Sequence, residues 1–201
     1  MTAWRGNPAP PPAASPAVRS VRVVRIATIF YGIAALFAVG YSLFTGNVGS
    51  LLGEAVPDGA GLMGGILLGV GVVGLCHVGR HMFPSVERAA GALSDLIGPL
   101  TIRGAVSLAL LSGVSEELLF RGALWPMGLA GTSLLFGVVH VIPRRALALY
   151  PLFAACMGLL LGLLRAWTHN VIPAMLAHVV VNGANLVWLE MRRRKSAKAA
   201  A

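Results

Sequence analysis

Apolar residues run along this chain in long blocks separated by short polar or basic stretches. Six blocks stand out, at 23–45, 61–79, 104–125, 127–142, 146–167 and 170–189. Crossing about 30 Å of hydrocarbon takes a helix of about 20 residues, so each block reads as a spanning helix. None shows the two-residue alternation of a membrane barrel. The expected fold class is therefore all-α, a polytopic membrane helical bundle of about six transmembrane helices. The fourth block is short and shares the tight turn Trp125-Pro126-Met127-Gly128 with the third. Between the second and third blocks, S-V-E-R-A-A-G-A-L-S-D-L-I carries Val86, Leu93 and Ile97 near helical spacing. That pattern predicts a short amphipathic helix on the membrane surface.

The basic residues test this count. Arg5, Arg19, Arg22 and Arg25 precede the first block, and Arg80, Arg88 and Arg103 lie between the second and third. Arg144 and Arg145 separate the fourth from the fifth, and Arg192, Arg193, Arg194, Lys195 and Lys198 follow the sixth. The intervening stretch T-G-N-V-G-S-L-L-G-E-A-V-P-D-G-A has no basic residue. Basic segments thus alternate to one side, which by the positive-inside rule places both termini in the cytoplasm. Arg165, near the outer end of the fifth block, is the exception. Residues 1–20, rich in Pro and Ala, read as a disordered cytoplasmic tail rather than a signal peptide. Residues 21–103 hold the N-terminal helices and the surface helix, 104–189 form the remaining core, and 190–201 form a basic cytoplasmic tail.

Composition agrees: 57% of residues are hydrophobic and only 11% charged, with a mean hydropathy of +0.79. The net charge of +9 is spent at chain ends and loops, not on a patch that would bind nucleic acid. Cys76 and Cys156 sit inside apolar blocks and form no disulfide framework or CxxC metal motif.

Against this background, S-E-E-L-L-F-R-G at 115–122 puts two carboxylates and an arginine inside a spanning block. Charges there are costly and mark function by default. Glu117 and Arg121 are four apart, acid first, the favourable order for an ion pair on one helix face. Glu116 points about 100° away, free for other work. Phe136 and His140 share a face of the fourth block, as do His178 and Asn182 of the sixth. Glu116, His140, His178 and Asn182 come out at comparable depth in the inner half of the membrane. Gly158 and Gly162 form a GxxxG suited to close packing inside the bundle.

The series E-E-L-L-F-R-G, F-G-V-V-H and H-V-V-V-N, over roughly 104–189, resembles the EExxxR, FxxxH and HxxxN motifs of the CPBP family of intramembrane proteases. That family includes type II CAAX prenyl endopeptidases and related bacteriocin-processing and immunity proteins. The resemblance implies an intramembrane endopeptidase in a bacterial-type cell membrane. Glu116 would activate water, His140 would position it, and His178 and Asn182 would stabilise the oxyanion, with Glu117 and Arg121 in support. The substrate would be a membrane-associated peptide or protein, lipidated in the CAAX relatives. Glu116, His140 and His178 could instead hold a divalent metal such as Zn²⁺ with an open water position, although no HExxH helix is present. A different class stays open: a non-hydrolytic scaffold, an immunity protein or a proton-coupled transporter, since intramembrane Glu and His also build proton relays.

Overall fold

The computed structural model describes residues 15–199. Residues 1–14, most of the expected tail, lie outside the described residues. Seven α-helices follow in order among those described: α1 Pro16–Phe44, α2 Gly59–Met82, α3 Pro84–Ile97, α4 Ile102–Glu117, α5 Gly128–Val139, α6 Tyr150–Thr168 and α7 Ile172–Ala199. The described chain forms no named strands, and the architecture is an all-helical membrane bundle.

Local chemistry sets the ends. Ser15 caps α1 by accepting from Val18 N, with Pro16 in the first turn. Helix α1 therefore begins inside the stretch expected to be tail, and residues 16–20 are helical. Asp58 caps α2 through Gly61 N at 2.7 Å, and Thr101 caps α4 through Gly104 N at 3.0 Å. These side chains satisfy amide donors that a helix start leaves unpaired. The last helix runs through the expected basic tail to Ala199, because nothing after Trp188 breaks it. Helix α3 turns its half-buried Val86, Leu93 and Ile97 to one side, as the amphipathic pattern predicts. It meets the Ile102–Ala123 segment at 99°.

Four helical stretches are long and apolar enough to cross a membrane: Pro16–Phe44, Gly59–Met82, Arg145–Thr168 and Ile172–Ala199. The third and fourth expected spans are not among them: Ile102–Ala123 passes the same test only together with α3, as a bent pair, and the fourth is shorter still. Helix α5 has 12 residues, about 18 Å of rise, well short of the hydrocarbon thickness. It starts after a turn at Leu124–Met127, with Gly128 at φ 76°, and stops at His140 before Pro143. A half-length helix ends part-way through the bundle, and this sets the position of His140.

Helices α2 and α4 pack on α7, α5 on α6, and α1 on α4. One apolar cluster joins Val72, Met157, Leu161, Ala174 and Val181 between α2, α6 and α7. A second joins Phe120, Phe136 and Ala154. Small residues permit these approaches. A Cβ on Gly113 would lie 2.6 Å from Val179 Cγ2, and one on Gly158 would lie 3.0 Å from Ser133 Cα. The GxxxG of α6 thus packs internally on α5. Gly69 of α2 sits equally tight, its Cβ position 2.8 Å from Val180 Cβ. Replacing Gly69 with Leu is expected to destabilise the bundle by about 1–3 kcal/mol through overpacking, measured as unfolding in detergent. An unchanged transition would mean that α2 and α7 are not held in close packing.

Candidate active site

The two adjacent glutamates end α4, and the chain then widens into a π-helical turn, Leu118–Ala123, closed by Leu124 N on Leu119 O at 2.8 Å. Such turns recur at functional sites because they re-aim side chains. Glu117 and Arg121 are fully buried and pair at 3.0 Å, as their spacing predicts. Arg121 also donates to Gly158 O at 2.8 Å and lies 4.6 Å above the Phe136 ring. Its charge is therefore shared between a carboxylate, a carbonyl and an aromatic face.

Glu117 has a second partner that sequence spacing does not give. Its Oε1 lies 2.8 Å from His178 Nδ1 on α7. A carboxylate can only accept, so Nδ1 carries the proton. His140 is fixed in the same sense: its Nδ1 donates to Phe136 O at 2.6 Å, one turn earlier. Phe136 packs against both rings, 4.5 Å from His140 and 5.8 Å from His178 between centroids. With each Nδ1 committed, each Nε2 is left facing inward.

Both Nε2 atoms are directed to the same oxygen. Glu116 Oε2 is 3.9 Å from His140 Nε2 and 3.8 Å from His178 Nε2. That oxygen is buried and has no hydrogen-bond partner within the protein. In the neutral form of the histidines, three lone-pair-bearing atoms surround one small space. The arrangement calls for something positive between them: the two O–H groups of a water, or a cation. A tetrahedral zinc site would hold its ligand atoms about 3.3–3.4 Å apart, closer than these separations. Among the described residues no group of three or more His, Cys, Asp or Glu forms a metal-ligand set. The trio expected from sequence as a metal site does converge on one space.

Asn182 lies one turn beyond His178 on α7 and makes no hydrogen bond to Glu116. Its Nδ2 donates to Ser112 Oγ at 2.9 Å, and Ser112 lies one turn before Glu116 on α4. Two tyrosines that the motifs do not contain complete the surroundings. Tyr31 of α1 faces Glu116 and Ser112. Tyr150, the first residue of α6, lies 5.8 Å from the His140 ring. Tyr31 had a signal in the sequence: it continues the stripe of small buried residues Ser20, Ala27, Ala38 and Ser42 on α1. His77, His81 and His169 are exposed and remain outside the site. Arg165, the exception to the charge alternation, is buried with its guanidinium 5.2 Å over Trp125.

Residues 98–184 match the family described as type II CAAX prenyl endopeptidase Rce1-like. Glu116, Glu117, Arg121, His140, His178 and Asn182 all fall within that match. The chain is also similar to the uncharacterized protein YpbD of Bacillus subtilis (strain 168), 38% identical over 104 residues. That alignment covers 50% of this chain and 53% of YpbD, so the chain spans about half the length of the curated relative it matches. No solved structure matches. With its several apolar spanning helices, the protein is a multi-pass membrane protein.

Proposed function

We propose, on the premise that residues 98–184 form an Rce1-like segment, that this protein is an intramembrane endopeptidase. One observation carries the reading beyond the family: the two histidine Nε2 atoms face the unpartnered Glu116 Oε2. A water held there has an acceptor for each of its protons and a lone pair left for attack. Glu116 takes one proton as the water oxygen bonds to the peptide carbonyl carbon. The carbonyl π electrons move onto oxygen, and a donor must meet that charge. Asn182 keeps one amide N–H beyond its bond to Ser112 and supplies it. Glu116 then returns its proton to the amide nitrogen as the C–N bond breaks. The water's other proton is accepted, as a hydrogen bond, by the Nε2 of His140 or of His178, one at a time, and the two rings are braced by Phe136 O and Glu117. None of these steps uses a metal.

The substrate class follows the family: a membrane-associated peptide or protein, with a prenylated C-terminus as the first probe. Both termini are assigned to the cytoplasmic side by the charge alternation. The chain divides into an N-terminal helical part to residue 103 and a catalytic core from 104 to 189.

The test is terminal-peptide profiling of membranes holding the wild-type protein or Glu116→Gln at matched expression. New peptide termini are expected only with wild type, and they are expected to persist when the membranes are treated with o-phenanthroline. Identical profiles would favour the scaffold or transporter reading. Termini lost to the chelator and restored by Zn²⁺ would return Glu116, His140 and His178 to the role of metal ligands.

A further inference from the structure

Glu116 differs from its neighbour in how it is held. Glu117 has an arginine and a histidine on one oxygen. Glu116 has neither arginine nor lysine beside it, and both histidines stand 3.8 Å or more away. A base without a fixing partner would sample several rotamers, and only some aim Oε2 at the water position. Something else must orient it.

The candidate lies outside the matched segment 98–184, on α1. The face of α1 turned to α4 is made of small residues, Ser20, Ala27, Ala38 and Ser42, all buried. Tyr31 falls on the same stripe, four residues after Ala27 and seven before Ala38. It is the one bulky polar residue on that stripe, and the rest of α1 is largely exposed. Its phenol lies on the side of Glu116 and Ser112, across the packing of α1 on α4. Ser112 in turn accepts from Asn182 Nδ2 at 2.9 Å. Asn182, Ser112 and Tyr31 can thus donate in one direction, ending on Glu116. The Ser112 hydroxyl has the Ala109 carbonyl as an alternative acceptor at 3.3 Å, so the phenol O–H is the donor that matters to the carboxylate.

We infer that Tyr31 is a positioning residue of the site, which holds the Glu116 carboxylate so that its free oxygen faces the two histidines. Helix α1 is then part of the machinery and not only a membrane anchor, although the family motifs do not reach it. The inference rests on the endopeptidase reading and deepens it.

Tyr31→Phe removes only the hydroxyl and leaves the ring on its stripe. The full-length protein in proteoliposomes would be assayed with a fluorogenic peptide spanning a cleavage site recovered by terminal-peptide profiling. Loss of the orienting bond is expected to lower kcat about 10- to 100-fold, the scale of an ångström of misplacement. KM and the unfolding transition are expected to stay at wild-type values. Ala27→Val, on the same stripe, is expected to show the reverse: a lowered transition with kcat unchanged. A wild-type kcat for Tyr31→Phe would overturn the inference, as would a loss of kcat that tracks a loss of stability. Should Glu116→Gln itself cleave at the wild-type rate, the assignment of Glu116 as the base fails first and this inference with it. If Glu116→Gln is inactive while Tyr31→Phe is normal, only the role of Tyr31 is lost.

Discussion

Glutamine in place of Glu116 is expected to slow cleavage by about 10²–10⁴-fold, the range that a positioned general base supplies. The carboxamide keeps the shape of the side chain but cannot take up a proton near neutral pH, so the loss measures proton transfer rather than packing. His140→Ala and His178→Ala should each be severe, because each removes one of the two Nε2 atoms that face Glu116 Oε2. The informative variants are the doubles. If one water is shared by all three side chains, Glu116→Gln with His178→Ala should cost no more than Glu116→Gln alone, since groups that act as a unit are strongly non-additive. Initial rates of product formation at matched expression would show this. Losses that multiply would mean that His178 acts on the substrate independently of Glu116, and the shared-water geometry would have to be given up.

That geometry was legible in the sequence only where it depends on spacing within one helix. Glu117 and Arg121, Phe136 and His140, and His178 and Asn182 are each four apart, and the structure puts each pair on a common face. The bond from Glu117 to His178 joins residues 61 apart, and no periodicity announces it. Its consequence is a change of emphasis: Glu117 orients a histidine, where the motif reading had it supporting Glu116. The length of α5 was misjudged because Val141 and Ile142 extend the apolar block, while the helix ends at Val139 ahead of Pro143. Hydropathy counts apolar residues but not the backbone that carries them. At the N-terminus the signal was present, since Ser15 followed by Pro16 is a cap with proline in the first turn, yet the Pro/Ala-rich composition outweighed it. The basic residues after Trp188 read as a tail by charge, but they are good helix formers and α7 continues through them. Arg193 even returns to the chain, donating to Ser94 of α3.

Removing one partner of the Glu117–Arg121 pair is expected to destabilise the protein by about 3–5 kcal/mol, because it strands a buried charge. Both side chains are fully buried, so neither can recover its hydration by turning outward. Arg121→Met leaves Glu117 with His178 alone, and Glu117→Leu leaves Arg121 with the Gly158 carbonyl and the Phe136 ring. The double variant Glu117→Leu with Arg121→Met removes both charges and keeps similar volume, and it should regain most of the lost stability. Activity should not follow. In that double variant His178 Nδ1 has lost its acceptor, the ring can turn, and Nε2 is no longer aimed at Glu116 Oε2. Cleavage should stay about 10- to 100-fold down, in keeping with the loss of a partner that orients a histidine. Glu117→Gln with Arg121→Met supplies the contrast, because the amide oxygen can still accept from Nδ1. It should be stable and recover much of the cleavage rate. Unfolding in mixed micelles, read beside initial rates for the four variants, separates the two roles. If activity rises and falls with stability throughout, the pair only holds the helix. If the leucine double variant is stable yet slow while the glutamine double variant is stable and fast, Glu117 orients His178.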